Sequence, residues 1–471
     1  MTDLLTALAG VVDKSGLLTG DDIGRRYTDT RGHGPAGTPA CVVRPTSTQE
    51  VSGILKICFH AGRAVVPQGG MTGLVGGGAP GEGEVVLSLE RMNAVEGIDD
   101  SGRTMTAEAG VVLETAQSVA DDAGFMMPVD LGARGSATLG GLISTNAGGN
   151  RVIRYGMMRQ SVLGLEAVLA DGTILTSMNR MLKNNAGYDL KQLFIGSEGT
   201  LGIVTRCVLR LAPKPLSTCT ALVGMDKFES VLSYLSLLDT KLGGGLGAFE
   251  VMWSKYYDFV RERCPNLKPP LTPDHQFYVI TEFLGADPDG DADKFENLLE
   301  TASSQNLIQD GVVAQSESDR EDLWAIREGA GEGFRSLSPM FTYDVSMPIL
   351  TMDDFGRRAE ADIEGAFPGA TTLILGHLGD GNLHAVISVG DGSADAHKKV
   401  NDILYGIIRD LGGSVSAEHG IGTEKRDYLN WSRTDAEVEV MRMLKRTLDP
   451  KGLLNPGKVI YSTQLLDINS G

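Results

Sequence analysis

The segment Gly376-His377-Leu378-Gly379-Asp380-Gly381-Asn382-Leu383-His384 sets two histidines seven positions apart. Asp380-Gly381 lies between the apolar runs Thr372-Leu373-Ile374-Leu375 and Ala385-Val386-Ile387, a strong signal for a two-residue hairpin turn. With those residues as the turn, Gly379 faces Asn382, Leu378 faces Leu383, and His377 faces His384. Directly opposed residues share one sheet face with Cβ atoms roughly 4.5 to 5.5 Å apart. Two imidazoles so placed can bind one metal ion at about 2.0 to 2.1 Å per nitrogen. His33, His60, His275 and His397 lack such a partner and read as structural.

Arg327 is the second candidate. In Asp322-Leu323-Trp324-Ala325-Ile326-Arg327-Glu328, the spacing of Leu323, Ile326 and Ala330 predicts a helix with its apolar face packed and Arg327 near one edge. A guanidinium there can hold a carboxylate through two parallel hydrogen bonds. The plainer use of Arg327 is an ion pair with Glu328 or Glu321 on a solvated face.

Glycine supplies the third signal, with 61 in 471 residues, about twice average usage. Pro67-Gln68-Gly69-Gly70-Met71-Thr72-Gly73-Leu74-Val75-Gly76-Gly77-Gly78 follows a strand-like run but cannot begin a helix, so it is no Rossmann fingerprint. Its exposed amides could wrap a diphosphate, with Thr72 as a side-chain donor. A second cluster runs from Pro128 through Gly135, Ser136, Gly140 and Gly141 to Ser144-Thr145-Asn146-Ala147-Gly148-Gly149. A helix starting near Ser136 would aim its first amides at an anion. The third, Phe194-Ile195-Gly196-Ser197-Glu198-Gly199-Thr200-Leu201-Gly202-Ile203-Val204, joins a loop to a strand. Gly452 to Lys458 matches the phosphate-loop spacing by chance, because Val459 stands where a Ser or Thr would hold magnesium.

The elements that must carry these loops can be read coarsely. Ser47-Thr48-Gln49-Glu50 is a capping box before the helical stripe Val51, Ile54, Leu55 and Cys58. Strands are predicted at 64–66, 85–89 and 104–107, with a helix near 113–123. Past Ala212-Pro213-Lys214-Pro215 the glycine-rich character stops, and helical patterns at 226–241, 291–304, 319–336, 353–366 and 395–411 alternate with strand-like runs such as Phe277 to Thr281. That rhythm suggests ferredoxin-like units. A last helix falls near 435–447.

Composition narrows the class. The apolar content of 42% and charged content of 22% are those of a globular chain. A net charge of −19 argues against nucleic acid as a partner. No apolar stretch reaches the ~18 residues of a membrane span, and the N-terminus lacks the basic region of a signal peptide. Five cysteines without paired spacing point to a reducing interior, with the cytoplasm as the expected location.

Taken in order, P-x-G-G-x-T-G near residue 70, A-T-L-G-G with T-N-A-G-G, G-S-E-G-T-L-G-I-V, G-H-L-G-D-G-N-L-H, E-H-G-I-G and L-N-P-G-K resemble the FAD-dependent D-2-hydroxy acid dehydrogenases of the vanillyl-alcohol oxidase superfamily. The resemblance spans nearly the whole chain. It implies an α+β, two-domain flavoprotein: an FAD-binding domain over 1–214, a ferredoxin-like cap over 215–419 that binds substrate and metal, and a C-terminal segment, 420–471, returning to the flavin. The residues expected at the flavin are Pro67, Gly69, Gly70, Met71, Thr72, Gly73 and Leu74; Gly135, Ser136, Gly140, Gly141, Thr145, Asn146 and Gly148; and Glu198, Gly202, Ile203 and Asn455. Some relatives link the flavin to a loop histidine where this chain has Met71, so FAD is expected without a covalent bond.

The same resemblance makes Glu418 the third ligand beside His377 and His384, for zinc or manganese, and makes His419 the base. Arg327 matches the family's carboxylate anchor. Relatives acting on 2-hydroxyglutarate typically carry a threonine and a lysine where this chain has Gly331 and Thr342. A second negative charge would then be harder to bury, so a monocarboxylic acid such as D-lactate is the expected substrate. The expected electron acceptor is an electron-transfer flavoprotein, a quinone or dioxygen, and the expected assembly is a homodimer.

Overall fold

The computed structural model describes residues 2–29 and 36–461, so His33 lies outside the described residues. The chain forms two compact units. The first comprises Met1–Gly148, Gly156–Lys214 and Glu418–Gly471; the second comprises Gly149–Tyr155 and Pro215–Ala417. Two boundaries therefore differ from expectation: 149–155 groups with the second unit, and the returning segment starts at Glu418.

In the first unit Ser47 caps a helix at Thr48–Ala61, its hydroxyl accepting from the Glu50 N–H. Glu50 sends its carboxylate to the Thr46 N–H at 2.7 Å, one residue earlier than a capping box predicts. Val51, Ile54, Leu55 and Cys58 are all buried, as the stripe requires. A four-stranded sheet runs in the order Leu17–Leu18, Cys41–Val43, Val85–Ser88, Val65–Gln68, and its last three strands are parallel. Burial on both faces accounts for their valine-rich sequence. Leu454 bridges to Val65 in parallel, and the Asn455 N–H donates to Val65 O at 2.8 Å, so the L-N-P-G-K segment extends this sheet.

A five-stranded antiparallel sheet orders Val95–Asp99, Thr104–Glu108, Ile203–Arg210, Val162–Val168 and Ile174–Ser177. The helix expected near Ser136 begins instead at Leu139 and ends at Thr145. Thr138 is its cap, with extended backbone and a hydroxyl accepting from the Gly141 N–H. The stretch before it is held as a turn by Ser136 N–H to Ala133 O, 3.0 Å, so the helix cannot start there.

The second unit is a seven-stranded antiparallel sheet in the order Asp310–Val313, Ser217–Met225, Phe277–Gly285, Leu246–Trp253, Thr371–His377, Asn382–Ser388, Phe341–Ser346. Alternate residues on one face, among them Leu222, Met252, Ile280, Leu375 and Val386, pack in one core with Leu323 and Ile326 of the helix Glu317–Glu328. A second helix on that face, Ser254–Arg263, was not apparent in the sequence; Tyr256, Tyr257 and Val260 bury it. Among the described residues no helix is long and apolar enough to cross a membrane.

Candidate active site

The histidine segment does not form the two-residue hairpin that its sequence suggests. The strand Thr371–His377 ends at His377, a 3-10 turn takes Leu378–Asp380, and Gly381 closes the loop at φ 87°. Four residues in the connection shift the register, so His384 faces Leu375 and His377 faces Glu250 on the other neighbouring strand. The histidines still meet. His377 and Leu375 are two positions apart and therefore share a face, which makes His377 the diagonal neighbour of His384. Their rings stand edge to face with centroids 5.2 Å apart. The motif's other glycines are packing requirements: a Cβ on Gly376 would lie 2.5 Å from Asn382 O, and one on Gly379 would lie 2.3 Å from Ile153 Cδ1.

Glu250, which the sequence reading did not single out, is the buried centre of this group. It is 1% exposed, and its Oε1 accepts from His377 Nδ1 at 2.6 Å while its Oε2 accepts from Arg327 Nε at 2.9 Å. Arg327 Nη2 lies 3.4 Å from His377 Nε2. Burial pushes the Glu250 carboxyl up, but its interactions with His377 and Arg327 more than offset this and hold it below the usual carboxylate range. Burial works against the Arg327 cation, yet Glu250 raises its pKa above the ordinary arginine value. The alternative in which Arg327 pairs with Glu321 or Glu328 is not what the structure shows. Tyr256 OH donates to Arg327 O at 2.8 Å and so holds the last turn of its helix.

Asp344, fully buried, stands opposite His384 on the adjacent strand and accepts from the Ala417 N–H at 3.1 Å. Glu418 and His419 follow Ala417 directly along the chain. Thr342 faces Val386, two positions from that pair, and a Cβ on Gly331 would meet nothing within 4 Å. Only the sheet order could have pointed to Glu250 and Asp344, because their partners lie on strands remote in sequence.

In the first unit a cavity of about 780 Å³ is lined by Gly69, Gly70, Met71 and Ser136 together with Arg26 and Thr138. The loops close on each other through glycine: a Cβ on Gly70 would sit 1.8 Å from Ser136 O, and one on Gly69 would sit 2.3 Å from Thr138 Oγ1. Such a cradle, with backbone exposed to a roomy cavity, fits a flavin nucleotide. Thr72, Gly73 and Leu74 continue the same loop. Gly140 and Gly202 pack closely on the protein itself: a Cβ on either would lie 2.7 Å from Ala109 or Phe194, respectively.

Several side chains expected at the flavin also hold the loops in place. The Thr145 hydroxyl donates to Gly141 O, and Asn146, at φ 51°, accepts from the Arg159 N–H. Pro67 packs against the position of Gly199, where a Cβ would lie 2.5 Å from its ring. The Glu198 carboxylate accepts from the Ile421 N–H at 2.7 Å and the Gly422 N–H at 2.9 Å, and Asn455 Nδ2 donates to Glu198 O and Gly77 O. Gly135 and Gly148 flank the helix, and Ile203 opens a buried strand.

His60 bonds Lys56 O, His275 pairs with Asp226, and His397 stacks on Phe341 with ring centroids 4.5 Å apart. These contacts account for all three without a ligand.

Residues 39–177 match the FAD binding domain model, and residues 214–459 match the model of the C-terminal domain of FAD linked oxidases. The chain is 41% identical over 429 residues to the D-2-hydroxyglutarate dehydrogenase of Bos taurus, covering 90% of this chain and 77% of that protein. It is 38% identical over 445 residues to the D-2-hydroxyglutarate dehydrogenase of Xanthomonas citri, covering 93% and 91%. The fold is that of p-cresol methylhydroxylase, with a TM-score of 0.77 at 15% identity over 98% of this chain and 97% of that one. With both domain models matched in order and relatives aligned over nine-tenths of its length, the chain belongs to the FAD linked oxidases as an FAD-dependent D-2-hydroxy acid dehydrogenase.

Proposed function

We propose that the chain oxidises D-2-hydroxyglutarate to the 2-oxo acid, with Arg327 holding the carboxylate beside the reacting carbon. The observation that carries the reading is the Glu250-anchored guanidinium of Arg327 next to His377, a buried cation whose Nε is engaged by Glu250 and whose Nη2 lies 3.4 Å from His377 Nε2. The choice of acid rests on the names of the relatives, which favour it over the D-lactate expected from Gly331 and Thr342.

His377 and His384 suit a divalent ion, zinc or manganese, because their rings are close and Glu250 already engages Nδ1 of one of them. Glu418 is the carboxylate proposed to complete the set. The ion would supply Lewis acidity to the substrate hydroxyl, and FAD, which the loops of Gly69, Gly70 and Ser136 would hold without a covalent link, would supply the hydride acceptor. His419 takes the hydroxyl proton. Arg327 orients the substrate by its carboxylate, and the buried strands on either side of His377 limit water around it.

A second reading, a monocarboxylic acid such as D-lactate, has one observation behind it: the Thr342–Val386 pair and the open position at Gly331 offer no cation for a second carboxylate. Specific activities for D-2-hydroxyglutarate, D-lactate, D-2-hydroxybutyrate and glycolate with an artificial electron acceptor decide between them. A preference for D-lactate overturns the main reading. No turnover of any 2-hydroxy acid by flavin-loaded, metal-supplied protein overturns both.

A further inference from the structure

We infer that Glu250 is a positioning residue: its single carboxylate selects which nitrogen of His377 is presented to a divalent ion and sets the direction of the Arg327 guanidinium. The inference rests on the metal reading proposed above, and it adds a residue outside the expected ligand and anchor set.

The argument starts from the strand register. Glu250 and His377 are directly opposed on neighbouring strands, so their side chains leave the sheet on the same face, a few ångströms apart. Hydrogen-bond chemistry then fixes the imidazole. An ionised carboxylate only accepts, so the nitrogen 2.6 Å from Glu250 Oε1, Nδ1, is the one that carries hydrogen. A guanidinium only donates, so Nε2, 3.4 Å from Arg327 Nη2, offers its lone pair. Two neighbours of opposite character thus demand the same tautomer. It is the form in which a ligating histidine gives Nε2 to a metal while donating from its other nitrogen to a carboxylate.

The second oxygen of the same group acts on Arg327. By accepting from Nε at 2.9 Å it fixes the direction of the planar guanidinium, whose Nη2 lies 3.4 Å from His377 Nε2. With 1% exposure, Glu250 has no competing solvent, so losing either bond leaves a buried donor to find another acceptor. One carboxylate therefore ties the orientation of the proposed metal ligand to that of the substrate anchor.

Glu250→Gln tests this, because glutamine keeps the shape but accepts through one oxygen and places an NH2 group against the other partner. In competition with a chromophoric chelator, affinity for Zn2+ and Mn2+ should fall on the order of ten- to a hundredfold, with flavin absorbance retained. Glu250→Asp keeps the charge but shortens the reach, and should fall between the variant and the parent. Arg327→Met removes the neighbouring cation and leaves the Glu250–His377 bond, so ion affinity should hold or rise. Glu250→Gln and Glu250→Asp binding the ions as tightly as the parent would overturn the inference, as would an equal loss of affinity in Arg327→Met. A parent protein that takes up neither ion overturns the metal reading itself, a result separate from the ranking of the variants.

Discussion

Leu375, not His377, stands opposite His384 across the strand ladder, and His377 reaches His384 only as its diagonal neighbour. The direct partner of His377 is Glu250 on the other side. This arrangement sets a carboxylate opposite each imidazole, Glu250 for His377 and Asp344 for His384, and makes the pair sensitive to changes on four strands.

His384→Ala should lose the divalent ion and reduce turnover by a factor of a thousand or more, because a Lewis acid is worth several kcal/mol and about 1.4 kcal/mol is a factor of ten. Flavin should remain bound, since the cavity lined by Gly69, Gly70 and Ser136 is built entirely within the first unit. Elemental analysis of active enzyme checks it; full activity without stoichiometric metal would sink the metal reading.

Gly70→Val should give colourless protein. Its Cβ would fall 1.8 Å from Ser136 O, so the loops must part and the cradle is lost. Met71→Leu should keep the flavin, and acid precipitation of the parent should release FAD into the supernatant. Flavin retained in the pellet would reveal a covalent link.

Arg327→Ala should raise KM for every 2-hydroxy acid by at least about tenfold, since a charge-assisted hydrogen bond contributes about 1.5 to 3 kcal/mol. Thr342→Lys should improve D-2-hydroxyglutarate over D-lactate, because the position is solvent-exposed and opposite Val386 on the face that carries His384. Unchanged ratios of kcat/KM would remove position 342 from substrate recognition.

Glu198→Ala should strip the Ile421 and Gly422 amides of their buried acceptor, at a cost of about 1 to 3 kcal/mol for each unsatisfied group. Those amides hold the turn immediately after His419. The expected result is a lower unfolding midpoint and a fall in kcat larger than any change in KM, with Glu198→Gln intermediate. Equal kcat in parent and Glu198→Ala would show that the turn needs no such tether.

Local sequence determined those parts of this protein whose cause is local. The stripe Val51, Ile54, Leu55 and Cys58 requires a helix because apolar side chains at that spacing share one face, and the chain places it at Thr48–Ala61. The glycine loops were legible because closely approaching backbones leave no room for a Cβ, as Gly69 and Gly70 show. Arg327 and the two histidines could be named from residue type and spacing. Their arrangement could not. Whether Asp380-Gly381 turns in two residues or in four depends on how Gly379 packs against Ile153 and on the Gly381 N–H bond to Leu378 O, and a shift of two in the pairing sum sets Leu375 rather than His377 opposite His384. Glu250 itself lies 127 positions from His377, and nothing in its own neighbourhood marks it. Only the seven-stranded order, which sets Leu246–Trp253 beside Thr371–His377, makes that glutamate a partner, because cross-strand neighbours are decided by which strands pair rather than by what precedes or follows a residue along the chain.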